Sequence, residues 1–343
     1  MKVRYDTESI GEQKIDTALV LSGGGAKGAY QVGVIEELLR RGIRIDLVTG
    51  SSIGAFNGAL LAEFLQYGQY RSEDPVERIK EVWLNLEKVL TLNWPGFLKN
   101  IFTPWRIPSV FTNLVLRKVI SDYIPETRMI SDYKICQLSI TGTDLNKGIT
   151  RVFDYNSRIE VIKGILASMA YPAAFPSVKI GNNYYMDGGA LDNTPLKEAI
   201  LWGARNIYVV LLVPLKEIKE GEDQLPGKNY SAALSVLDRF IDIASSKLMY
   251  GDLQRAEEIN RVLNLLDEYR GKIKPSFIWK LKKILDIKQR GKKDAKRRIN
   301  IYKIAPESTL KPPGAAGFDN IKAILRLFKK GKEDTRSLLG KNM

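Results

Sequence analysis

Residues 17–54 read TALVLSGGGAKGAYQVGVIEELLRRGIRIDLVTGSSIG. Thr17–Leu21 is a short apolar strand that runs directly into a run of glycines. From Gly28 to Arg41 the apolar residues Val32, Ile35 and Leu39 recur at helical spacing among Glu36, Glu37, Arg40 and Arg41, and Gly42 follows as a stop signal. Ile43–Thr49 reads as the next strand, and Gly54–Leu65, with small residues along one face, as a helix suited to close packing on a sheet. Strand, glycine turn, helix, strand, turn, helix is the grammar of parallel βαβ units, so the expected class is α/β.

The second turn, Gly50-Ser51-Ser52-Ile53-Gly54, is a GxSxG nucleophile elbow centred on Ser52. Such a turn lifts a serine hydroxyl out of the end of a strand, and the flanking glycines accommodate the tight backbone. A serine needs a base to become a nucleophile at neutral pH, and the usual base is imidazole. The chain contains no histidine. The partner of Ser52 must then be a carboxylate or an amine, or the serine is a small residue in a packed turn.

The first turn, Gly23-Gly24-Gly25-Ala26-Lys27-Gly28, fits the GxGxxG dinucleotide pattern, but the following strand ends in Thr49 and the elbow rather than in an acid for a ribose, with Asp46 inside it. Consecutive glycines at a helix N-terminus equally present free N–H groups to an oxyanion, including a tetrahedral acyl intermediate. Two adjacent strand-turn-helix units would bring these donors and Ser52 to the carboxyl edge of one sheet, where ligands bind in open α/β folds. A third element, Asp187-Gly188-Gly189, closes the strand Tyr184–Met186 and offers the best-placed carboxylate base, although Asp-Gly is also a common turn or cap pair.

Further along, Val76–Leu90 reads as a helix. Trp94, Phe97, Phe102, Trp105 and Phe111 then stand among Pro95, Pro104 and Pro108, a stretch suited to a cap over a cleft or to ordinary packing. Ile135–Thr143 is predicted as a strand with a hairpin through Asn146-Lys147-Gly148, Arg158–Met169 as a helix closed by Tyr171-Pro172, and Ile207–Val213 as a buried strand. Thr194-Pro195 is expected to supply an N-cap and N1 proline for a helix to Gly203. Ser231–Tyr269 is helical in pattern, Pro312–Gly317 a loop, and an amphipathic helix carrying Ile321, Ile324, Leu325 and Phe328 ends the chain.

With 343 residues, a single cysteine (Cys136) and no histidine, the chain can bury a large core but can form no internal disulfide, and a zinc or iron site is not expected. The N-terminus lacks the apolar core of a signal peptide, and no apolar run reaches the length of a membrane span, so a cytoplasmic protein, soluble or peripherally attached to a membrane, is expected. Net charge is +14, and Lys272–Arg298 holds twelve Lys or Arg against Asp286 and Asp294. Phe277, Ile278, Trp279, Leu281, Ile284, Leu285 and Ile287 lie among those charges, the composition of an interfacial helix for an anionic membrane surface. A solvated helical insertion is the plainer reading. No nucleic-acid motif accompanies the charge, so nucleic acid is not an expected partner.

SGGGAKG, GSSIG and MDGG, in that order, resemble the patatin-like phospholipases, as do ASMAYPAAFPSV, ITGTDLNKGITRVF and GFDNIKAILRLFKKGKEDTRSLL, so the resemblance covers roughly residues 15–340. It implies a three-layer α/β/α sandwich around a mostly parallel central sheet with helical additions. The implied layout is an acyl hydrolase domain over 15–340, a basic helical insertion at about 220–300 and an N-terminal extension of 1–14. It also implies a Ser-Asp dyad with Ser52 as nucleophile and Asp187 as general base. Gly23–Gly28 would form the oxyanion hole, and Lys27, in a basic position of that loop, either attracts an anionic group or extends into water. The substrate would be a phospholipid or related lipid ester, and neither metal nor cofactor is called for. The alternatives are a membrane- or partner-binding protein on the same fold that does not turn over, and a lipid acyltransferase.

Overall fold

A computed structural model of the chain describes residues 15–68, 74–90, 113–172, 174–216, 233–269, 299–311 and 320–340, with the single positions 272, 274, 276, 277 and 318. The expectations placed on residues 1–14, on the aromatic stretch Trp94–Phe111, on Lys272–Arg298 apart from Lys272, Lys274, Ser276 and Phe277, and on the loop Pro312–Gly317 fall outside the described residues.

The described strands are β1 (Thr17–Leu21), β2 (Leu47–Ser51), β3 (Gln137–Asp144), β4 (Ile149–Phe153), β5 (Val178–Ile180), β6 (Asn183–Asp187), β7 (Asn206–Val210) and β8 (Asn300–Ile304). They form one sheet that runs β5, β6, β3, β2, β1, β7, β8, with β4 paired to β3. From β3 to β8 every neighbour is parallel, whereas β4, β5 and β6 join antiparallel. The expected mostly parallel sheet is therefore a mixed one with a parallel centre.

The helices are α1 (Ala29–Arg40), α2 (Ile53–Tyr67), α3 (Pro75–Leu90), α4 (Asn113–Ser121), α5 (Val161–Ser168), α6 (Leu196–Leu201), α7 (Ala233–Glu268) and α8 (Ile321–Gly340). Side chains on a strand alternate between faces, and β1 divides the core accordingly. Leu19 and Leu21 join the cluster built with α1, α2, α3, α5 and α8, while Ala18 and Val20 join a second cluster with Leu196 and Ala199 of α6 and Met249 and Leu253 of α7. Helices on both faces make the sandwich three layers deep.

Two boundaries differ from the sequence reading. β2 starts at Leu47 instead of Ile43, because Asp46 Oδ2 accepts the N–H groups of Asp16 and Thr17 and Arg44 pairs with the same carboxylate, which occupies the lead-in before the ladder begins. The helix after the acid turn spans only Leu196–Leu201, its N-cap is Pro195, and Thr194 Oγ1 is buried with no hydrogen-bond partner among the described residues. Thr194 therefore does not cap this helix.

One contact holds α1, the helix that begins at the glycine loop. It crosses α8 so closely that a Cβ on Gly33 would lie 1.9 Å from Phe328 O, and one on Gly331 would lie 2.0 Å from Tyr30 O. Glu37, fully buried, accepts from Arg40 and Arg41 of its own end of the helix and from Arg336 of α8. Hydrogen bonds led by that from Arg40 hold its carboxyl down at about 2 against the opposing effect of burial. A buried amide relay reaches the loop from the other side. Trp83 Nε1–H donates to Asn57 Oδ1, Asn57 Nδ2 donates to Gln31 Oε1 and Gly28 O, and Gln31 Nε2 donates to Ser22 O. Each donor and acceptor in it is satisfied, as a buried polar network requires.

Candidate active site

The elbow is built by close approach. A Cβ on Gly50 would lie 2.4 Å from Gly54 O, and one on Gly54 would lie 2.2 Å from Leu21 O, so both glycines of GxSxG are needed for β2 to turn into α2 against β1. Between them Ser52 takes φ 52° and ψ −123°, a left-handed conformation that costs a non-glycine residue on the order of 1–3 kcal/mol. Surrounding contacts hold it there. Ser52 N–H donates to Ser168 Oγ at 2.8 Å, and Ser52 O accepts from Ala55 and Phe56 N–H as α2 begins. Ser52 stays half-buried.

Strand register brings the carboxylate to it. β2 pairs along β3 up to Ser51 opposite Thr141, and β6 takes up the same edge from Gly142 onward, with Asp187 opposite Gly142. β4 occupies the other edge of β3 over this whole stretch. The last residues of β2 and β6 thus arrive from opposite directions and meet end to end beside Thr141 and Gly142. Asp187 ends its strand, as expected from the sequence, and β6 brings it to this level by running antiparallel to β3.

Ser52 Oγ donates to Asp187 Oδ2 at 2.6 Å, and Gly189 N–H donates to Asp187 Oδ1 at 2.7 Å. Asp187 is 3% exposed, and burial pushes its carboxyl up to about 6, with the Ser52 hydroxyl and the Gly189 amide pulling the other way. The backbone of Asp187 is pinned as well: its N–H donates to Ala170 O, and Thr143 Oγ1 donates to its carbonyl. Gly188 follows because a Cβ there would lie 2.4 Å from Thr141 O and 2.7 Å from Ser51 Oγ. The segment Ser168–Ala170 therefore braces both partners, Ser52 through Ser168 and Asp187 through Ala170. The stretch ASMAYPAAFPSV stood out in the sequence, but nothing in its spacing identified Ser168 as the acceptor of the Ser52 amide.

The glycine loop stands next to this pair. Gly24 takes φ 155° against the Leu212 side chain, Gly25 takes φ 56°, and Gly25–Gly28 forms a short 3-10 turn leading into α1. Of the six residues expected to form the oxyanion hole, three have their amides in use: Gly23 N–H donates to Asn193 O at 3.0 Å, Lys27 N–H donates to Gly24 O at 3.3 Å, and that of Gly28 is taken up within the 3-10 turn. Gly28 closes the turn. The amides of Gly24 and Gly25 have no acceptor among the described residues. Lys27 is 7% exposed, so its side chain does not extend freely into water, and it forms no salt bridge among the described residues. Asn193, absent from the sequence reading, lies against both Gly23 and Gly189.

No group of His, Cys, Asp and Glu among the described residues could hold a metal ion, and Cys136 is buried in the core. A serine in hydrogen-bond contact with an elevated-pKa carboxylate, beside unengaged amides, has the parts required for acyl transfer.

Residues 19–200 match the patatin-like phospholipase family. Patatin-like phospholipase domain-containing protein 7 of Rattus norvegicus is 31% identical over 224 residues, which is 64% of this chain and 14% of that protein. Lysophospholipase NTE1 of Saccharomyces cerevisiae is 28% identical over 213 residues, 61% of this chain and 11% of that protein. The chain thus spans a small part of the length of these relatives. Among solved structures, VipD from Legionella pneumophila overlaps 96% of this chain and 67% of its own, with a TM-score of 0.43 and 14% identity.

Proposed function

Because the chain belongs to the patatin-like phospholipase family, we propose that it is a serine acyl hydrolase that cleaves ester bonds of phospholipids or related lipids through Ser52 and Asp187. The observation that carries this reading is the 2.6 Å hydrogen bond from Ser52 Oγ to Asp187 Oδ2 in a chain without histidine.

As Ser52 Oγ attacks the ester carbonyl, its proton passes to Asp187 Oδ2, which is ionised above about pH 6. The carbonyl oxygen becomes an oxyanion facing the Gly24 and Gly25 amides, whose orientation is preset by the positive φ of both residues. Collapse expels the alcohol or lysolipid, which takes the proton from Asp187. Water then attacks the acyl-serine, giving a proton to Asp187, and fatty acid leaves as Ser52 recovers its proton. A base held near pH 6 suits both directions of transfer, since a carboxylate of ordinary acidity would take the serine proton poorly. Lys27, buried beside the loop, is a candidate to attract the anionic part of a lipid.

The hydrolase unit in this reading comprises residues 15–340, with 1–14 as an extension and about 220–300 as an insertion. Lys272–Arg298 would hold the protein at an anionic membrane surface, each basic residue contributing on the order of 1 kcal/mol. No helix among the described residues is long and apolar enough to cross a membrane.

Fluorophosphonate labelling of the purified protein tests the assignment, with the modified peptide identified by mass spectrometry and fatty acid release from phospholipid vesicles measured alongside. Label on Ser52 and acyl release that both vanish in Ser52→Ala are expected. A folded protein that neither labels nor releases fatty acid, with or without anionic vesicles, rejects the reading.

A further inference from the structure

The side chain of Asn193 fills the gap where the glycine loop, the elbow and the acid turn come together. Its main-chain carbonyl accepts Gly23 N–H at 3.0 Å, and its Nδ2 lies 3.5 Å from Gly23 O, so it engages both backbone groups of the residue that opens the loop. Asn193 Oδ1 lies 2.3 Å from where a Cβ on Gly23 would stand and 2.7 Å from where one on Gly189 would stand. Both positions are open to this amide because both residues are glycine. The same point beside Gly189 lies 3.0 Å from Asp187 Oδ1, and the point beside Gly23 lies 3.1 Å from Ser52 Cβ.

We propose that Asn193 is a positioning residue that sets the spacing between the Gly24–Gly25 amides, Ser52 and Asp187. The inference rests on the assignment of Ser52 and Asp187 as the reacting pair. Hydrogen bonds within β1 and β2 fix the start of each turn, but no ladder joins the glycine loop to the acid turn. Asn193 supplies that connection. With it in place, the donors of the loop and the serine–carboxylate pair have one relative position, which catalysis by preset dipoles requires. Removing the side-chain amide would leave only the main-chain bond from Gly23 N–H to Asn193 O between the loop and the acid turn, without removing any group that touches substrate.

Charged neighbours of this turn matter for the test. Asp192 precedes Asn193, and burial, with the Asp252 and Glu198 carboxylates, pushes it up to about 7 while Lys197 opposes. Asp187 is the titrating group on the other side of Gly189. An added carboxylate at position 193 would join them and disfavour ionisation of Asp187.

The experiment compares the full-length protein with Asn193→Ala, Asn193→Asp and Ser52→Ala, using hydrolysis of a soluble short-chain ester from pH 4.5 to 9, fluorophosphonate labelling rates, and circular dichroism as the check on folding. For Asn193→Ala the expected result is a kcat at least 10-fold lower, with KM little changed and labelling slowed in parallel. For Asn193→Asp, which keeps the shape of the side chain, the rising limb of kcat/KM should move to higher pH by roughly one unit. Folded Asn193→Ala with wild-type kcat, or folded Asn193→Asp with an unmoved pH limb, overturns the proposal. If Asn193→Ala does not fold, the isosteric Asn193→Asp decides alone. Activity that persists in Ser52→Ala would reject the underlying dyad, whereas an inactive Ser52→Ala beside normal Asn193 variants rejects the positioning role only.

Discussion

Ser52 and Asp187 are 135 residues apart in the chain, and the hydroxyl of one donates to the carboxylate of the other at 2.6 Å. Their meeting follows from β2 and β6 sharing one edge of β3 and ending at adjacent residues of it. The serine is held in a strained backbone conformation and the acid is buried, so both partners are preset.

Ionisation of Asp187 controls the reaction as proposed. The kcat/KM of the free enzyme should rise tenfold per pH unit below about 6 and level off above it, as measured with a soluble ester under constant ionic strength. Asp187→Asn should lower turnover by roughly 10²- to 10⁴-fold, and Ser52→Ala should reduce it to background.

The same burial has the opposite consequence for stability. The folded Asp187 carboxyl titrates near 6, above its ordinary 3.8, so the folded protein binds this proton more tightly than the unfolded chain. Its contribution is present in full below the ordinary value and is lost as pH rises through about 6. Asp187→Asn removes that loss, and the variant should be more stable than wild type above pH 6, by at most on the order of 3 kcal/mol. Denaturant melts at pH 4 and pH 8 check this: the two proteins should converge at the lower pH.

Ser168 should matter through the backbone of Ser52. Ser168→Ala leaves the part-buried Ser52 N–H without its acceptor, at about 1–3 kcal/mol. If that loss falls on the position of the nucleophile, kcat drops roughly 5- to 150-fold with KM nearly unchanged. A wild-type kcat in the folded variant would show that the elbow needs no such anchor.

The crossing of α1 and α8 gives a prediction away from the site. Gly33→Ala and Gly331→Ala would each drive a methyl into a backbone carbonyl and should destabilise the fold by about 3 kcal/mol or more. Gly251→Ala, in α7 with no atom near its added methyl, should instead stabilise by roughly 0.5–1 kcal/mol. Chemical denaturation of the three variants gives the contrast directly.

Much of the central fold was legible because its signals are local. The spacing of Val32, Ile35 and Leu39 placed α1, Gly42 marked its end with φ 74°, and Asn146-Lys147-Gly148 placed the β3–β4 hairpin. The start of β2 was misread because apolar Ile43 and Ile45 look like strand residues, whereas Asp46 binds the beginning of β1. Thr194-Pro195 matched a helix start, but Leu196 N–H donates to Thr194 O and leaves the threonine hydroxyl unused.

The sequence by itself determined that two glycine-containing turns follow successive strands, that one of them carries a serine, and that its base is not a histidine. Those are matters of local backbone conformation and of which residue types exist in the chain. Tertiary structure alone decided that β6 runs antiparallel and stops level with the elbow. It also decided that Gly23 and Lys27 spend their amides internally, that Ser168 Oγ accepts the Ser52 amide, and that Asn193 lies against both Gly23 and Gly189. Register along β3 and close packing against glycine depend on partners more than a hundred residues away, and no local pattern records them.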